Sequence, residues 1–340
     1  MRMRPLGGSG IEVSTVILGA WAIGGWQWGG IRESEAIDAI HAAPDNGINC
    51  IDTAPVYGWG RSEELVGKAL QGGLRHRMVV ASKCALVWDG SGEDGTYLYS
   101  GGKLGKVPDD SPERVCRVFI NTRPQHIRRG LEDSLRRLRT DYIDLFQTHW
   151  QDATTPIEDT MAELLKMKRE GKIRAIGCSN ATPEQMDRYR ALGPLDVDQE
   201  KFSMLDRARE KDCLPYCAEN GIAFLAYSPL GQGLLTGAVG PERVFGPDDM
   251  RSMNPRFSLE SRKRIADFLQ TIRPIADDYR LSYAQLVTAW TLAQPGCSHA
   301  ILGARNVEQV RENAKGGAVV LDDAAVLQIT EQVGRFLKDS

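Results

Sequence analysis

The stretch Asp141-Tyr142-Ile143-Asp144-Leu145-Phe146-Gln147-Thr148-His149, then a helical pattern ending at Gly171, then Ile173-Arg174-Ala175-Ile176-Gly177-Cys178-Ser179-Asn180, decides the fold. Two short apolar runs joined by one amphipathic helix read as a β-α-β unit with parallel strands. The helix has its own punctuation. Thr155 is predicted to cap it with its hydroxyl while Glu158 reaches back, Pro156 suits the first turn, and Gly171 follows the end.

Outward from this unit the same alternation runs from about residue 16 to the end of the chain. Strands are predicted at Val16 to Ala20, Ile48 to Asp52, Met78 to Lys83, Tyr142 to His149, Ile173 to Cys178, Val197 to Phe202, Ile222 to Tyr227 and Ala300 to Gly303. Eight parallel strands are what a closed (β/α)8 TIM barrel needs. Between them, Ile127, Leu131, Leu135 and Leu138 form an apolar stripe that should pack on the barrel's outer wall. Thr182 and Gln185 repeat the capping pattern after the fifth strand. Pro44 lacks a backbone donor and clashes with the preceding turn, so the helix around Ser34 to Asn46 should kink or end early there.

The 340 residues exceed a minimal barrel of roughly 250, and a single domain spanning 1–340 accommodates the surplus. Most of it falls in Cys84 to Thr122 and Leu230 to Ser258, which are rich in Gly, Pro and charge. Each follows a strand and should lie over the mouth as an extended loop. Met1 to Val13 carries a Gly-Gly-Ser-Gly turn and is expected to form an N-terminal hairpin closing the barrel's bottom. Asp322 to Leu337 reads as an additional C-terminal helix.

Net charge is only -3 and neither sign forms a block, so the expected partners are small molecules rather than nucleic acid or a membrane surface. No apolar run spans a bilayer and no secretory leader opens the sequence, so the expectation is a cytoplasmic protein. Seven cysteines without a close CxxC pair suit a reducing compartment. Cys213 and Cys217 share a helix face, but two thiols alone make a poor metal site. The five histidines are scattered, so no metal is expected in the mechanism.

The polar residues most suited to chemistry fall at successive strand ends: Asp52 with Tyr57, Lys83, His149, Ser179 with Asn180, Gln199 and Tyr227. A parallel barrel gathers strand ends at one mouth. Taken singly, Asp52 reads as a cap, Tyr57 as a loop aromatic, Lys83 as a strand-end charge and His149 as a core histidine. Together they suggest proton transfer. A phenol beside an ammonium is favoured as phenolate, so Lys83 is expected to lower the pKa of Tyr57 and make it a usable acid and base. Asp52 would keep a desolvated Lys83 charged, and His149 would donate to a substrate carbonyl. Such a set protonates a forming alkoxide. It supplies no hydride, so a nicotinamide is required.

The chain also resembles the aldo-keto reductases over nearly its whole length. The markers are Gly47-Ile-Asn-Cys-Ile-Asp-Thr-Ala54 with Tyr57-Gly58, Arg61-Ser62-Glu63-Glu64 with Val66-Gly67, and Ser82-Lys83. Further markers are Ser134-Leu-Arg-Arg-Leu138, Asp141-Tyr-Ile-Asp-Leu145 with Gln147-Thr148-His149, Gly171-Lys-Ile-Arg174 and Gly177-Cys-Ser-Asn180.

The resemblance implies a metal-free hydride transfer from NADPH or NADH, with Tyr57 as proton donor, Asp52 and Lys83 tuning it, and His149 orienting the carbonyl. It assigns Ser179, Asn180 and Gln199 to the nicotinamide carboxamide and Tyr227 to its ring. Gly19, Ala20, Trp21 and Asp52 line the cofactor from the first two strands. Ser228, Leu230, Gly231, Gln232 and Gly233 correspond to the pyrophosphate loop. Arg305 beside Gly303 corresponds to the adenosine 2′-phosphate site, with Gln309 and Asn313 on the adenine side. NADPH is therefore preferred. Gly303 and Ala304 replace a lysine and a hydroxyl residue common in relatives, which leaves NADH possible. Asn306 should cap a helix from Val307, and a helix N-terminus beside an arginine favours a phosphate.

Trp21, Trp59, Trp88 and Trp150 are candidates for substrate contact, since an aromatic mouth accepts sugar rings and apolar aldehydes alike. The Trp21-Ala-Ile-Gly-Gly-Trp26 and Gly303-Ala-Arg305 stretches resemble a bacterial subgroup acting on inositol-type polyols, glycerol and small aldoses, which points to an aldose, keto-sugar or keto-polyol. Two other readings remain: an aldolase or lyase using Lys83 as a Schiff-base nucleophile, and a cofactor-binding regulatory subunit.

Overall fold

The computed structural model describes residues 1–103, 115–246 and 249–338. Its centre is a closed barrel of eight parallel strands: β3 (Val16–Gly19), β4 (Cys50–Asp52), β5 (Val79–Cys84), β9 (Ile143–Thr148), β10 (Ile173–Ser179), β11 (Val197–Lys201), β12 (Ala223–Tyr227) and β13 (Cys297–Gly303). They pair in that order and β13 closes on β3, with Ala300 opposite Val16. All eight predicted strands are present. The runs were visible because strands covered on both faces are apolar throughout.

Side chains alternate across each strand. Ile17, Cys50, Ala81, Leu145, Ala175, Val197, Leu225 and Ile301 fill the barrel interior with Leu6, Ile11 and Val13. The last three belong to the N-terminal hairpin, β1 (Met3–Pro5) against β2 (Glu12–Ser14), which plugs one end. Arg4 ties the plug to the wall, donating to the carbonyls of Leu292, Cys297 and Ser298. Two residues further along their strands, Asp52, Lys83, Gln147 and Gln199 occupy the next interior layer, toward the open mouth. This placement follows from period two alone.

The helices α1 (Glu33–Asp45), α2 (Arg61–Ala69), α3 (Pro124–Leu138), α4 (Ile157–Arg169), α5 (Pro183–Arg190), α6 (Cys213–Asn220), α7 (Leu259–Asp278), α8 (Tyr283–Ala293), α9 (Val307–Ala318) and α10 (Asp323–Lys338) surround the barrel. In α3, Ile127, Leu131, Leu135 and Leu138 are buried as the stripe requires. Pro44 sits in the last turn of α1, which ends one residue later. Thr182 and Gln185 form the expected reciprocal cap of α5.

The cap of α4 differs from expectation. Pro156 stands at the N-cap without a side-chain bond, and Thr155 donates instead to Asp152 Oδ2 at 2.7 Å. The helix starts one residue later than expected, at Ile157 after Pro156, so the Thr155 hydroxyl lies outside the cap position and bonds the neighbouring carboxylate instead. The 84–122 segment contains β6 (Leu86–Val87), β7 (Thr96–Lys103) and β8 (Val115–Ile120), an antiparallel sheet with β8 in the centre. Residues 104–114 of that insertion, and 247–248 of the 230–258 segment, lie outside the described residues.

Candidate active site

The loop after β4 carries Tyr57, and glycine lets it approach the loop after β3. A Cβ on Gly58, whose φ is +65°, would lie 2.4 Å from the Gly24 carbonyl oxygen, so only glycine fits. Ser62 donates to Ala20 O at 2.8 Å and shares a hydrogen bond with Thr53. Behind them Glu63 accepts from Ser82 at 2.6 Å and from Arg137 Nε at 2.6 Å, locking α2 to β5 and α3. The tyrosine is thus carried on a loop fixed from three sides.

Lys83 is fully buried and donates three ways: to Asp52 Oδ1 at 2.7 Å, Thr53 O at 3.1 Å and Tyr57 OH at 3.3 Å. Burial works against its charge, but Asp52 and Tyr57 outweigh it and hold the ammonium above its ordinary pKa. For Tyr57 the expectation fails in sign. Burial outweighs the Lys83 ammonium, Asp52 adds to it, and the phenol lies above its ordinary range rather than below. Tyr57 therefore holds its proton through neutral pH.

His149 stands edge-on to Tyr57 with ring centroids 5.8 Å apart. Burial and the Lys83 charge push its pKa well below the usual histidine value, so the imidazole is neutral. Neutral imidazole keeps one N–H to donate.

The neighbouring strand ends are linked in one run of hydrogen bonds. Gln199 Nε2 donates to Asp52 Oδ2 at 2.9 Å and approaches Gln147 Oε1 at 3.5 Å. Both hydrogens of that amide are directed inward, which leaves Gln199 Oε1 as an acceptor. Ser179 Oγ donates to Gln199 O, Asn180 Nδ2 to His149 O, and Tyr227 OH to Asn180 Oδ1 at 2.9 Å. Amide and hydroxyl groups converging beside a tyrosine fit the carboxamide of a nicotinamide. In the loop after β12, Ser228, Gly231, Gln232 and Gly233 all have positive φ, giving the tight backbone that close approach of a pyrophosphate requires. Gly19 and Ala20 end β3 beside Asp52, and Ala20 N donates to Asp52 O.

At the far side of the mouth, Asn306 caps α9 through Gln309 N, and Gln309 Oε1 accepts from Arg305 N. Arg305 Nη1 donates to Trp28 O at 3.1 Å, and Asn313 Nδ2 to Gly303 O. Leu230, partly buried, packs on the core beneath the same loop.

The tryptophans form two groups. Trp21 lies over Tyr57 at 6.0 Å and meets Trp28 edge-on at 5.2 Å. Trp59 lies between Trp26 at 4.6 Å and Trp88 at 5.6 Å, so the insertion contributes to this wall. Trp150 stands at the rim, 38% exposed. The Nε1 atoms of Trp28 and Trp59 are buried without a partner among the described residues.

Three features were not foreseen. Gln147 lies in the interior layer below the mouth; it was visible in Gln147-Thr148-His149, but nothing local distinguished it. Asp152 accepts from Thr96 Oγ1, Thr122 N, Thr154 N and Oγ1, and Thr155 Oγ1, pinning the insertion to the loop after β9. Arg251 is paired with Asp249 and lies 5.1 Å from the Trp28 ring, while Asp249 bridges to Trp28, so the 230–258 segment crosses to the loop after β3.

Comparison with known proteins agrees with this geometry. Residues 15–333 match the profile of the aldo/keto reductase family. The chain is 40% identical over 329 residues to the NADH-specific methylglyoxal reductase of Escherichia coli (strain K12), covering 95% of this chain and 96% of that one. It is 39% identical over 312 residues to the aldo-keto reductase YhdN of Bacillus subtilis (strain 168), covering 91% and 87%. The solved structure of the glycerol dehydrogenase AKR11B4 from Gluconobacter oxydans aligns with a TM-score of 0.84 at 37% identity, covering 98% of this chain and 96% of that one. Barrel, mouth and relatives agree: the chain belongs to the aldo/keto reductase family and is a nicotinamide-dependent oxidoreductase that interconverts carbonyl and alcohol groups.

Proposed function

We propose that the protein reduces a small polar carbonyl compound, an aldose, keto-sugar or keto-polyol, with Tyr57 as the proton donor. The observation that carries this reading is Lys83, buried between Asp52 at 2.7 Å and Tyr57 at 3.3 Å. A bound reduced nicotinamide supplies the hydride. His149, neutral, donates a hydrogen bond to the carbonyl oxygen and fixes it beside the Tyr57 hydroxyl. As negative charge develops on that oxygen, Tyr57 transfers its proton to it. Lys83 then stabilises the phenolate, and Asp52 keeps Lys83 charged as it does so. Alcohol oxidation runs the same proton path backwards.

Ser179, Asn180 and Gln199 would hold the carboxamide, with Gln199 Oε1 available as an acceptor, and Tyr227 would line the ring. The loop from Ser228 to Gly233 would hold the pyrophosphate. Gly19, Ala20 and Trp21 line the cofactor, and Trp21, Trp59, Trp88 and Trp150 the substrate. A polyol-acting relative with a closely similar barrel supports a polar substrate.

NADPH is favoured by Arg305 at the N-terminus of α9, where a 2′-phosphate would meet a guanidinium and a helix end. NADH is also used, a reading supported by the NADH-specific relative and by the absence of a lysine at Gly303. The seven buried, unpaired cysteines suit a reducing cytoplasm.

Tyr57→Phe tests the centre of the proposal. Turnover on a panel of aldoses, keto-inositols and small aldehydes should fall by about 10²- to 10⁴-fold while cofactor dissociation constants change by less than about twofold. Retained turnover assigns the proton elsewhere.

A further inference from the structure

Outside the mouth, the barrel wall holds a second cluster of reactive side chains. Asp198 and Glu200 sit two apart on β11, opposite in facing to the inward Val197, and so point out toward the helices. Cys213 and Cys217 sit four apart on α6 and share one face. The side-chain oxygens of Asp198 and Glu200 and the Cys213 sulfur lie within 4.8 Å of one another. Cys217 Sγ is 3.9 Å from Asp198 Oδ2, and Cys178 Sγ, on the register partner of Asp198 in β10, is 3.5 Å from Oδ1. All five residues are buried.

The two carboxyls are supported unequally. Glu200 accepts from Ala181 N at 2.7 Å and Arg209 Nε at 3.1 Å. Asp198, with 0% exposure, receives two thiols, which are weak donors and themselves part of the cluster, and shares a hydrogen bond with the Glu200 carboxyl. A carboxylate in that position is too costly to stand alone, so it holds either a proton or a cation.

We propose that Asp198, Glu200 and Cys213 form a binding site for a soft divalent cation of the zinc class, separate from the catalytic mouth, with the Cys217 sulfur beside Asp198 flanking it. Carboxylate oxygens with a thiolate sulfur are donors of the kind zinc accepts. The carboxyls come from the strand and the sulfur from the helix, so the ion clamps α6 to β11. Cys178 remains outside the ligand set and donates to Asp198, an outer contact that orients it. Binding releases the protons of the thiols and carboxyls, so affinity rises with pH.

The test uses the full chain unfolded and refolded with zinc or with cobalt, then desalted. About one equivalent of zinc per chain by mass spectrometry, a thiolate-to-cobalt charge-transfer band and proton release on metal addition are expected. The Cys213→Ser/Cys217→Ser double variant should lose the band and the equivalent of zinc. Asp198→Asn, which leaves the thiols in place, serves if the double variant does not fold and should weaken zinc by at least about 10-fold in competition with a chelating dye. Background zinc and no cobalt band in the wild type overturn the site and leave Asp198 and Glu200 as protonated acids. Metal retained unchanged by the variants overturns it equally, by placing the ion elsewhere.

Discussion

Replacing Lys83 with methionine separates what its charge does for the fold from what it does for the chemistry. The ammonium lies 3.3 Å from Tyr57 OH. At an effective dielectric constant of about 20, a charge at that distance favours the phenolate by about 5 kcal/mol, or between about 3 and 4 pKa units. Lys83→Met should therefore drive the already raised Tyr57 pKa much higher and cut kcat by at least about 10²-fold. It also strands Asp52, left with Gln199 Nε2 at 2.9 Å as its remaining side-chain donor, at a cost of about 3–5 kcal/mol in folding stability. Adding Asp52→Asn removes the stranded charge. Urea unfolding should then recover at least about 2 kcal/mol, while turnover stays lost. Single-variant stability within about 1 kcal/mol of wild type, or recovery of kcat in the double variant, would falsify the assignment of Lys83 as a buried, charge-compensated tuner of Tyr57.

Because Tyr57 sits above its ordinary pKa and His149 well below its own, kcat/KM for reduction should be flat from about pH 6 to about pH 9 and fall only as the phenol ionises. A break near pH 6.5 in rate measurements would show that His149 titrates and is not the neutral donor. Asp152→Ala should release the insertion from the loop after β9, shifting carbonyl KM more than cofactor affinity and lowering the unfolding free energy in urea titrations by about 3 kcal/mol. An unchanged KM across the carbonyl panel would detach that sheet from substrate selection. His299, buried with Nδ1 on Ser14 O, has its pKa pushed down to about 4 by burial. The unfolded chain takes up that proton first, so stability is lost as pH falls from about 6.5 toward 4, about 2 kcal/mol of it between pH 7 and pH 5. His299→Asn should flatten that dependence in urea titrations; an identical slope would assign it to other groups.

The barrel and the grouping at its mouth were readable because both depend on period two and on chain order. Eight apolar runs gave the strands, and strand ends gave Asp52, Lys83, His149, Ser179 and Gln199 a common location. What was not readable depends on distance across the fold. The sign of the Tyr57 shift turns on how deeply the phenol is buried, which no local pattern encodes. Thr155 has a good capping sequence, but the helix begins after Pro156, and the hydroxyl bonds Asp152 instead. The strands Leu86–Val87, Thr96–Lys103 and Val115–Ile120 were hidden among glycines and charges, since an antiparallel sheet outside the core needs no long apolar run. Cys213 and Cys217 looked isolated because their partners, Asp198 and Glu200, come from a strand whose facing only the closed barrel fixes.

The hairpin plug makes the first residues depend on nearly the last. Arg4 rests on carbonyls at Leu292, Cys297 and Ser298, Thr15 Oγ1 donates to Gly317 O, and β3 finds its second neighbour only in β13. During synthesis the chain emerges from its N-terminus, so the first barrel strand waits for some 280 residues with one edge open. The seam between β13 and β3 should be the last to form. Nascent chains halted before Cys297 should therefore engage chaperones and be cut by protease ahead of β3, whereas those released beyond Gly317 should resist.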